Sequence, residues 1–366
     1  MDVEPFSIRV ADEVLDDLHD RLARTRWPEA DPVGPWVQGT DLGYLRGLAD
    51  YWRSGFDWRV RERELNRWPQ FVADVDGVRL HFVHVRRGGT PLLLGHGWPS
   101  AFTELLGLVD LLPGFDLVIP SLPGYGFSSR PARCSTRDVA ALFHTLMQGL
   151  GYERYGAGGG DFGAAVATYM ALQQPERLLG VHLSNLDNSP TPTSSLTPAE
   201  RAFVEAGDEW DASERGYSLI QGTRPQTLSY GLTDSPVALA AWILEKWRLW
   251  GDTHGDLESR FDRDFLLELV TLYWVTGTIG SSIRDYLDNR EAGTATLGPE
   301  DRVAVPTAIA NFHGNFVPEG VLPREWAQRA YTVERFTDMP RGGHFAAAEE
   351  PGLLAEDIVA FFTGTR

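Results

Sequence analysis

Positive charge is scarce in this sequence. Its 366 residues include 33 arginines and lysines against 51 aspartates and glutamates, which gives a formal net charge of −18 at pH 7. Lys246 is the only lysine, a bias that we attribute to codon usage in a GC-rich genome. Proteins that bind nucleic acids or anionic membrane surfaces rely on basic patches, so the charge balance argues against both kinds of partner.

Cysteine, long apolar runs and a signal peptide are also missing. Cys134 stands alone, so no disulfide can form within the chain and a thiolate metal site is not expected. No apolar run approaches the roughly 18 residues of a membrane span. The N-terminal MDVEPFSIRVADEVLDD lacks the basic start and apolar stretch of a secretory signal. We therefore expect a cytoplasmic protein with no membrane partner.

Strand and helix patterns alternate from residue 76 onward. VRLHFVHV alternates as a strand does, and PLLLGHG and FDLVIPSLPG are short apolar runs that end in glycine, as buried parallel strands do. LLGVHLS, VAVPTAIANF and YTVERFTD are further predicted strands, and residues 137–150 and 164–174 are predicted helices. Such alternation predicts an α/β fold with a mostly parallel sheet.

Two segments depart from this alternation. Residues 1–75 combine helical periodicity with a Trp- and Pro-rich stretch, which predicts an N-terminal helical meander packing on the core. Residues 188–295 are helical and aromatic, as in AAWILEKWRLW, which predicts an inserted helical cap. The core then comprises residues 76–187 and 296–366. A helical lid inserted into a parallel sheet usually covers a site at the C-terminal ends of the strands.

Three polar residues flanked by glycine fall at the ends of predicted strands: His96 in LLLGHGWPS, Asp161 in GGGDFG and His344 in MPRGGHFAA. An α/β-hydrolase needs an oxyanion-hole loop, a nucleophile on a sharp turn and a late histidine, in that order. All three occur in that order. The sequence therefore predicts an α/β-hydrolase core in which His96 braces its loop rather than reacting.

GAGGGDFGAAVA, residues 156–167, also fits the dinucleotide pattern G-x-G-x-x-G. That reading would place the carboxylate of Asp161 at a helix N-terminus, where a pyrophosphate should bind, and the like charges would oppose binding. A carboxylate nucleophile gains from the same position because the positive end of the helix keeps it ionised. We therefore interpret the stretch as a nucleophile turn.

A series of distinctive motifs spans almost the whole chain: LARTRWPEA, YLRGLADYW, GFDWR, LNRWPQF, HGWP, PSLPGYGFS, GGGDFGA, GYSLIQGTRPQTL, DSPVALAAWILEKW, TGTIGSS and RGGHFAAAEEP. In these motifs the chain resembles the microsomal-type epoxide hydrolases, which include bacterial members and juvenile-hormone enzymes. The resemblance implies that Asp161 attacks an epoxide carbon and forms an alkyl-enzyme ester. Tyr217 in GYSLIQ and Tyr286 in SSIRDY match the cap tyrosines that donate hydrogen bonds to the epoxide oxygen.

The resemblance also implies a second half-reaction, hydrolysis of the ester. Backbone N–H groups at Trp98 and Phe162 would form the oxyanion hole, and His344 would deprotonate the attacking water. The family supports this histidine with an Asp or Glu after the penultimate strand, but the aligned residue here is Asn315. Asparagine can hold an imidazole ring through its amide oxygen, yet it cannot stabilise the imidazolium that forms as water is deprotonated.

Three explanations of this departure stay open. Asp187 or Glu319 could supply a substitute carboxylate. Some hydrolases of this fold place the acid after an earlier strand, here LLGVHLS, but the residue aligned with that alternative acid position is Asn185, which is also neutral. Asn315 could suffice for a slow hydrolase. The scaffold could instead catalyse non-hydrolytic ring opening, cyclisation or C–C bond formation in natural-product biosynthesis, including antibiotic pathways of the enediyne type.

Taken with the resemblance, the sequence predicts an enzyme that converts a bulky apolar epoxide to a vicinal diol. The substrate is a small molecule, and no metal or organic cofactor is implied. A homodimer is a conceivable assembly. A catalytically silent binding protein is disfavoured because the nucleophile, both tyrosines and the histidine are all present.

Overall fold

A nine-stranded sheet runs through the computed structural model, which describes residues 1–186, 188–192, 194–313 and 322–364. The strands of the described residues are β1 (Val3–Phe6), β2 (Gln70–Val75), β3 (Val78–Val85), β4 (Thr90–Gly95), β5 (Phe115–Pro120), β6 (Tyr155–Gly159), β7 (Leu178–Leu183), β8 (Ser189–Pro190), β9 (Thr296–Leu297), β10 (Val303–Asn311) and β11 (Tyr331–Asp338), and all except β8 and β9 belong to this sheet. The order in the sheet is β1-β2-β3-β5-β4-β6-β7-β10-β11, and every pair from β5 to β11 is parallel. The predicted α/β-hydrolase fold is confirmed.

Helices surround this sheet and fill the segments predicted as meander and cap. They are α1 (Asp12–Ala23), α2 (Leu42–Ser54), α3 (Trp58–Leu65), α4 (Thr136–Gly149), α5 (Phe162–Gln173), α6 (Pro198–Glu214), α7 (Gly216–Gln221), α8 (Pro225–Asp234), α9 (Pro236–Trp250), α10 (Arg263–Thr276), α11 (Ile279–Ser282), α12 (Arg284–Ala292), α13 (Arg324–Gln328), α14 (Ala346–Glu349) and α15 (Pro351–Gly364). The strands β4 to β7 consist largely of buried apolar residues, because helices such as α5 and α15 pack against the sheet.

The N-terminal segment contains two strands that the sequence patterns did not predict. β1 pairs with β2 and β2 pairs with β3, in both cases antiparallel, so the segment extends the sheet beyond β3. Asp76 and Gly77 both have positive φ, at 52° and 81°, as the turn of a tight hairpin requires. An Asp-Gly pair between alternating apolar residues is a strong hairpin signal, and it was available in VADVDGVRL.

The helices of this segment contact the cap. α1 and α2 pack against α9, and α3 packs against α10. The buried Trp52 indole N–H donates to Thr271 Oγ1 at 2.9 Å, and the Tyr51 hydroxyl donates to Asp264 at 2.7 Å. The segment therefore joins the core through its strands and the cap through its helices. The domain boundaries themselves stay a prediction.

The inserted cap is fastened to the loop that contains HGWP. Trp247 Nε1 donates to the Pro99 carbonyl at 3.1 Å, and the Tyr273 hydroxyl donates to the Ser100 carbonyl at 2.7 Å. The two ends of the insertion meet where β8 pairs with β9. Within the described ranges no single helix is long and apolar enough to cross a bilayer, and Arg263–Thr276 with Ile279–Ala292 reach that length only as a pair bent by 89°.

Replacing Trp52 tests whether the N-terminal helices stabilise the cap. We expect Trp52→Ala to lower the free energy of unfolding by about 3–5 kcal/mol, because it empties a buried aromatic site. Thr271→Val should cost about 1–3 kcal/mol, because it leaves the indole N–H without its partner. Urea unfolding measures both. Val33→Ala in the same segment, at a side chain that is 65% exposed, is the control, and an effect of Trp52→Ala as small as the control's would contradict the arrangement.

Candidate active site

Asp161 lies at the turn between β6 and α5. Its φ of 51° and ψ of −132° fall where a residue with a side chain is strained by roughly 1–3 kcal/mol. Glycine is required on either side of this turn because the backbone passes close to Gly95. A Cβ at Gly159 would lie 2.2 Å from the Gly95 carbonyl oxygen, and a Cβ at Gly163 would lie 2.1 Å from it. The glycines of GGGDFG thus serve the turn that carries Asp161.

Two backbone N–H groups hold one oxygen of the Asp161 carboxylate. Oδ1 accepts from the Trp98 N–H at 2.9 Å and from the Phe162 N–H at 2.7 Å. Both donors are groups that the resemblance assigns to an oxyanion hole, and Phe162 begins α5, so the positive end of the helix faces the carboxylate. Oδ1 is therefore fixed, and Oδ2 is the oxygen that remains to attack a substrate.

His344 lies beside that second oxygen. Its Nε2 is 3.3 Å from Asp161 Oδ2, and its side chain is 5% exposed. The backbone N–H of His344 donates to the Trp250 carbonyl at 3.0 Å, and the ring packs edge-to-face on Trp250 and Phe345. The histidine is thus positioned to take a proton from a water molecule attacking an ester at Asp161.

The other nitrogen of His344 faces Asn185, which follows β7. Asn185 Nδ2 lies 3.4 Å from His344 Nδ1, a long contact. Asn185 Oδ1 accepts from the Asp161 N–H at 2.8 Å, which fixes the orientation of the amide because a backbone N–H cannot face an amide NH₂. The structure thus puts a neutral side chain at the alternative acid position.

The remaining candidates for supporting the histidine, Asn315, Asp187 and Glu319, lie outside the described residues.

Glu104 is a site residue that the sequence analysis missed. It lies on the 3-10 helix Phe102–Leu108 and lines a cavity of about 30 Å³ together with Ser100, Asp161, Ser184 and His344. A water molecule needs roughly 10–15 Å³ of such space, so the cavity can hold one or two. The only available signal was a single charge in the otherwise uncharged stretch AFTELLGL, because the contacts of Glu104 are distant in sequence.

Loss of hydration raises the pKa of the half-buried Glu104 carboxyl to about 7. A hydrogen bond from the Ser100 hydroxyl and the charge of His344 oppose this rise, whereas the charge of Asp161 adds to it. Glu104 therefore changes charge near neutral pH, beside the nucleophile and the histidine.

The two tyrosines of the predicted site converge from the cap. Tyr217 on α7 stacks on the Trp98 ring at 5.5 Å with an interplanar angle of 6°. Tyr286 on α12 meets the same ring edge-to-face at 5.5 Å and contacts the Phe162 ring at 5.2 Å. Burial raises the pKa of Tyr286 well above its usual value, and Tyr217 and the Asp161 charge reinforce the rise. Tyr286 is therefore a protonated hydrogen-bond donor at neutral pH.

A cavity of about 520 Å³ opens between these tyrosines, Asp161 and His344. Most of its other walls are apolar: Phe162, Leu186, Phe203, Val204, Trp210, Trp250, Leu322 and Trp326. A second cavity of about 630 Å³ lies along Phe162, Leu219 and Tyr286. The site therefore has room for a large apolar molecule. No group of His, Cys, Asp and Glu in the described part of the chain could hold a metal ion.

His96 braces the loop before Trp98. Its Nδ1 lies 3.1 Å from the Gly97 carbonyl, to which it donates, while Nε2 accepts from the Leu122 N–H at 3.1 Å. Burial lowers the pKa of His96 to about 4. A neutral ring can make both bonds, whereas protonation would leave the Leu122 N–H without an acceptor. The predicted bracing arrangement agrees with these contacts.

Comparison with known proteins places the chain among epoxide hydrolases. The family model described as "Epoxide hydrolase N terminus" matches residues 3–105, and the model described as "alpha/beta hydrolase fold" matches residues 90–215. A putative epoxide hydrolase of Stigmatella aurantiaca is 39% identical, over 100% of this chain and 86% of the relative. Epoxide hydrolase 1 of Sus scrofa is 36% identical, over 98% of this chain and 88% of the relative.

Solved structures of such enzymes have the same fold over the whole chain. The epoxide hydrolase of Aspergillus niger superposes with a TM-score of 0.88 at 29% identity, covering 100% of this chain and 97% of that one. The juvenile hormone epoxide hydrolase of Bombyx mori superposes with a TM-score of 0.89 at 28% identity, covering 100% and 95%.

The neutral state of His96 predicts a pH-dependent contribution to stability. With a pKa lowered from 6.5 to about 4 in the folded protein, this residue stabilises the fold above pH 6.5, and the stabilisation is lost as pH falls below that value. Between pH 7 and pH 5 the loss from this one group should be about 1–2 kcal/mol. His96→Gln should therefore destabilise less at pH 5 than at pH 7. Urea unfolding at both pH values measures this, and an equal difference at both would contradict a neutral His96.

Proposed function

The chain belongs to the epoxide hydrolase family of the α/β-hydrolase fold, and we propose that it converts a bulky, largely apolar epoxide to a vicinal diol through an ester on Asp161. The observation that carries this proposal is that the two carboxylate oxygens of Asp161 have different surroundings. Oδ1 is held by the Trp98 and Phe162 N–H groups, Oδ2 lies 3.3 Å from His344 Nε2, and Asp161 lines a cavity that Tyr217 and Tyr286 also line.

Ring opening uses the nucleophile and the cap tyrosines. Asp161 Oδ2 forms a bond to one epoxide carbon, and the bond from that carbon to the ring oxygen breaks. The oxygen keeps the electron pair and accepts hydrogen bonds and then a proton from a tyrosine, because an alkoxide is a poor leaving group without an acid. The products of this step are an alkyl ester of Asp161 with a free hydroxyl group, and a tyrosinate.

Hydrolysis of the ester uses His344, which lies beside Asp161. His344 takes a proton from water, and the water oxygen attacks the carbonyl carbon of the ester. The negative oxygen of the intermediate is Oδ1, which already receives both N–H bonds. The bond between the carbonyl carbon and Oδ2 then breaks. The leaving Oδ2 takes the proton held by His344 and departs in the diol, and Asp161 keeps the oxygen from water. The second proton of that water returns the tyrosinate to its neutral form.

Glu104 supports a complete hydrolytic cycle despite the neutral residues at the acid positions. Together with Asp161 and His344 it lines a cavity with room for one or two waters. Its electrostatic interaction with His344 favours the ionised form of Glu104, and the same attraction stabilises an imidazolium. In the proposed mechanism Glu104 supplies the negative charge that Asn185 and Asn315 lack.

The second candidate function is a non-hydrolytic reaction on the same scaffold, in natural-product biosynthesis. The observation in its favour is the amide of Asn185 next to His344 Nδ1, because an amide N–H there does not stabilise an imidazolium. The two candidates differ in the fate of the ester, which hydrolysis removes and the alternative passes to another acceptor.

Isotope transfer in a single turnover tests the main proposal. With enzyme in excess over an aryl epoxide such as styrene oxide in ¹⁸O-water, we expect diol formation and one ¹⁸O atom in the peptide that contains Asp161. Asp161→Asn should form no alkyl-enzyme, because its amide is a weak nucleophile. Label in the diol but not in Asp161 would refute the ester mechanism. No diol from the wild-type protein, with diol from Asn315→Asp, would favour the second candidate.

The role of Glu104 predicts a pH-dependent defect in Glu104→Gln. Above pH 7 the wild-type carboxylate is ionised, so the variant should hydrolyse the ester about 10–100 times more slowly at pH 8 and accumulate alkyl-enzyme. At pH 6 the difference should shrink, because the wild-type carboxyl is then largely protonated. Glu104→Asp, which keeps the charge, is the matched control. Rapid-quench mass spectrometry measures the ester, and a defect of equal size at both pH values would assign Glu104 a structural role instead.

A further inference from the structure

Lys246 is the only lysine of the chain, and it is buried beside Tyr217. It lies on α9 and is 4% exposed. Its Nζ is 4.7 Å from the centre of the Tyr217 ring and 5.9 Å from the centre of the Trp250 ring. The charge is paired with the carboxylate of the neighbouring Glu245 at 2.8 Å. One compact cation thus contacts a tyrosine of the candidate site.

A structural explanation of this lysine is incomplete. Burial of an ammonium group is costly even when it is paired, and its neighbours Leu244 and Trp247 on α9 fill their buried positions with apolar side chains. The Glu245 partner lies next in sequence and is partly exposed, with 27% of its side chain accessible, so the pair could form in solvent without burying the lysine. The feature that burial adds is contact with the two aromatic rings.

We propose that Lys246 is a positioning residue that makes Tyr217, rather than Tyr286, the tyrosine that gives its proton to the epoxide oxygen. A cation against an aromatic face is attracted by the ring electrons, and the attraction strengthens when the ring becomes the negatively charged tyrosinate. The inference deepens the proposed function and rests on it.

The surroundings of the two tyrosines differ in the way this proposal needs. Tyr286 receives no cation–ring contact from any described residue, and burial together with the negative charge of Asp161 keeps its proton in place. Tyr217 has the ammonium group of Lys246 on its ring and the Trp98 ring stacked against it. Tyr217 is thus equipped to become negative, and Tyr286 to remain a neutral donor.

The step in which Lys246 acts is ring opening. As Asp161 Oδ2 bonds to carbon, the ring oxygen takes the electron pair of the broken C–O bond and the proton of Tyr217. The negative charge that began on the Asp161 carboxylate therefore ends on Tyr217, 4.7 Å from Nζ measured to the ring centre. Lys246 neither gains nor loses a proton. Ester hydrolysis later returns a proton to Tyr217.

Step-resolved kinetics with styrene oxide test the inference. Lys246→Met keeps the length of the side chain and removes the charge, so we expect formation of the alkyl-enzyme to slow by about 10–100-fold while hydrolysis of the ester changes little. Lys246→Arg keeps the charge and should recover most of the rate. Arg248→Met is the matched control, because it removes a cation from the same helix that stacks on Trp36 instead.

A double-mutant cycle separates action through Tyr217 from a structural effect. In a Tyr217→Phe background the remaining reaction depends on Tyr286, so Lys246→Met should slow alkyl-enzyme formation no further. Additive losses in the double variant would overturn the proposal, as would a normal rate in Lys246→Met. Failure of the wild-type protein to form any alkyl-enzyme would instead overturn the proposed function and, with it, this inference.

Nitrogen NMR gives a readout that does not depend on turnover. Because the chain has one lysine, labelling with [ζ-¹⁵N]lysine produces a single side-chain signal. We expect an ammonium signal at the pH of catalysis that shifts when Tyr217 is replaced by Phe and does not shift when Tyr286 is. A neutral amine signal, or equal responses to the two replacements, would overturn the proposal.

Discussion

The site depends on the two hydrogen bonds that the Trp98 and Phe162 N–H groups donate to Asp161 Oδ1. They compensate for the unfavourable backbone conformation of Asp161 and neutralise part of its charge at the start of α5. In the proposed mechanism they also decide which oxygen reacts, because an oxygen that accepts two N–H bonds is a poorer nucleophile than the other carboxylate oxygen. The glycines of the turn, the β4 and β6 pairing and the HGWP loop all serve to bring these three residues together.

The cap extends the same constraint to the tyrosines. Trp247 and Tyr273 of the cap donate hydrogen bonds to the carbonyls of Pro99 and Ser100, which immediately follow Trp98. The loop that holds Asp161 therefore also fixes the cap. The Trp98 ring in turn contacts both Tyr217 and Tyr286. The two tyrosines and Asp161 are therefore all positioned by contacts with the short segment from Trp98 to Ser100. A shift of the cap relative to the core would move the tyrosines away from that segment.

Local patterns predicted the parts of this arrangement that local geometry determines. The strands of the core, the turn at Asp161 and the late histidine each follow from a few consecutive residues. Glu104 was not recognisable in this way as a neighbour of Asp161 and His344, because its contacts join separate elements that only the folded chain brings together, and Asn185 was identified only by its alignment with an acid position of the fold. The strands of the N-terminal segment were missed for a different reason, since the Asp-Gly signal at residues 76 and 77 was present but the helical periodicity earlier in residues 1–75 set the interpretation of the whole segment.

Charge distribution relates the two half-reactions to each other. In the proposed mechanism, ring opening moves one negative charge from Asp161 toward the cap, where Lys246 lies on the Tyr217 ring, and hydrolysis generates positive charge on His344, on the core side, where Glu104 lines the small cavity. Each step therefore has an opposite charge near the place where its own charge develops. In that mechanism, an amide at the position of the usual acid slows only ester hydrolysis. The Glu104 carboxyl, whose pKa lies near 7, can restore the rate only at pH values at which it is ionised. The balance between forming and breaking the ester should thus depend on pH, in a direction set by Glu104 rather than by the nucleophile.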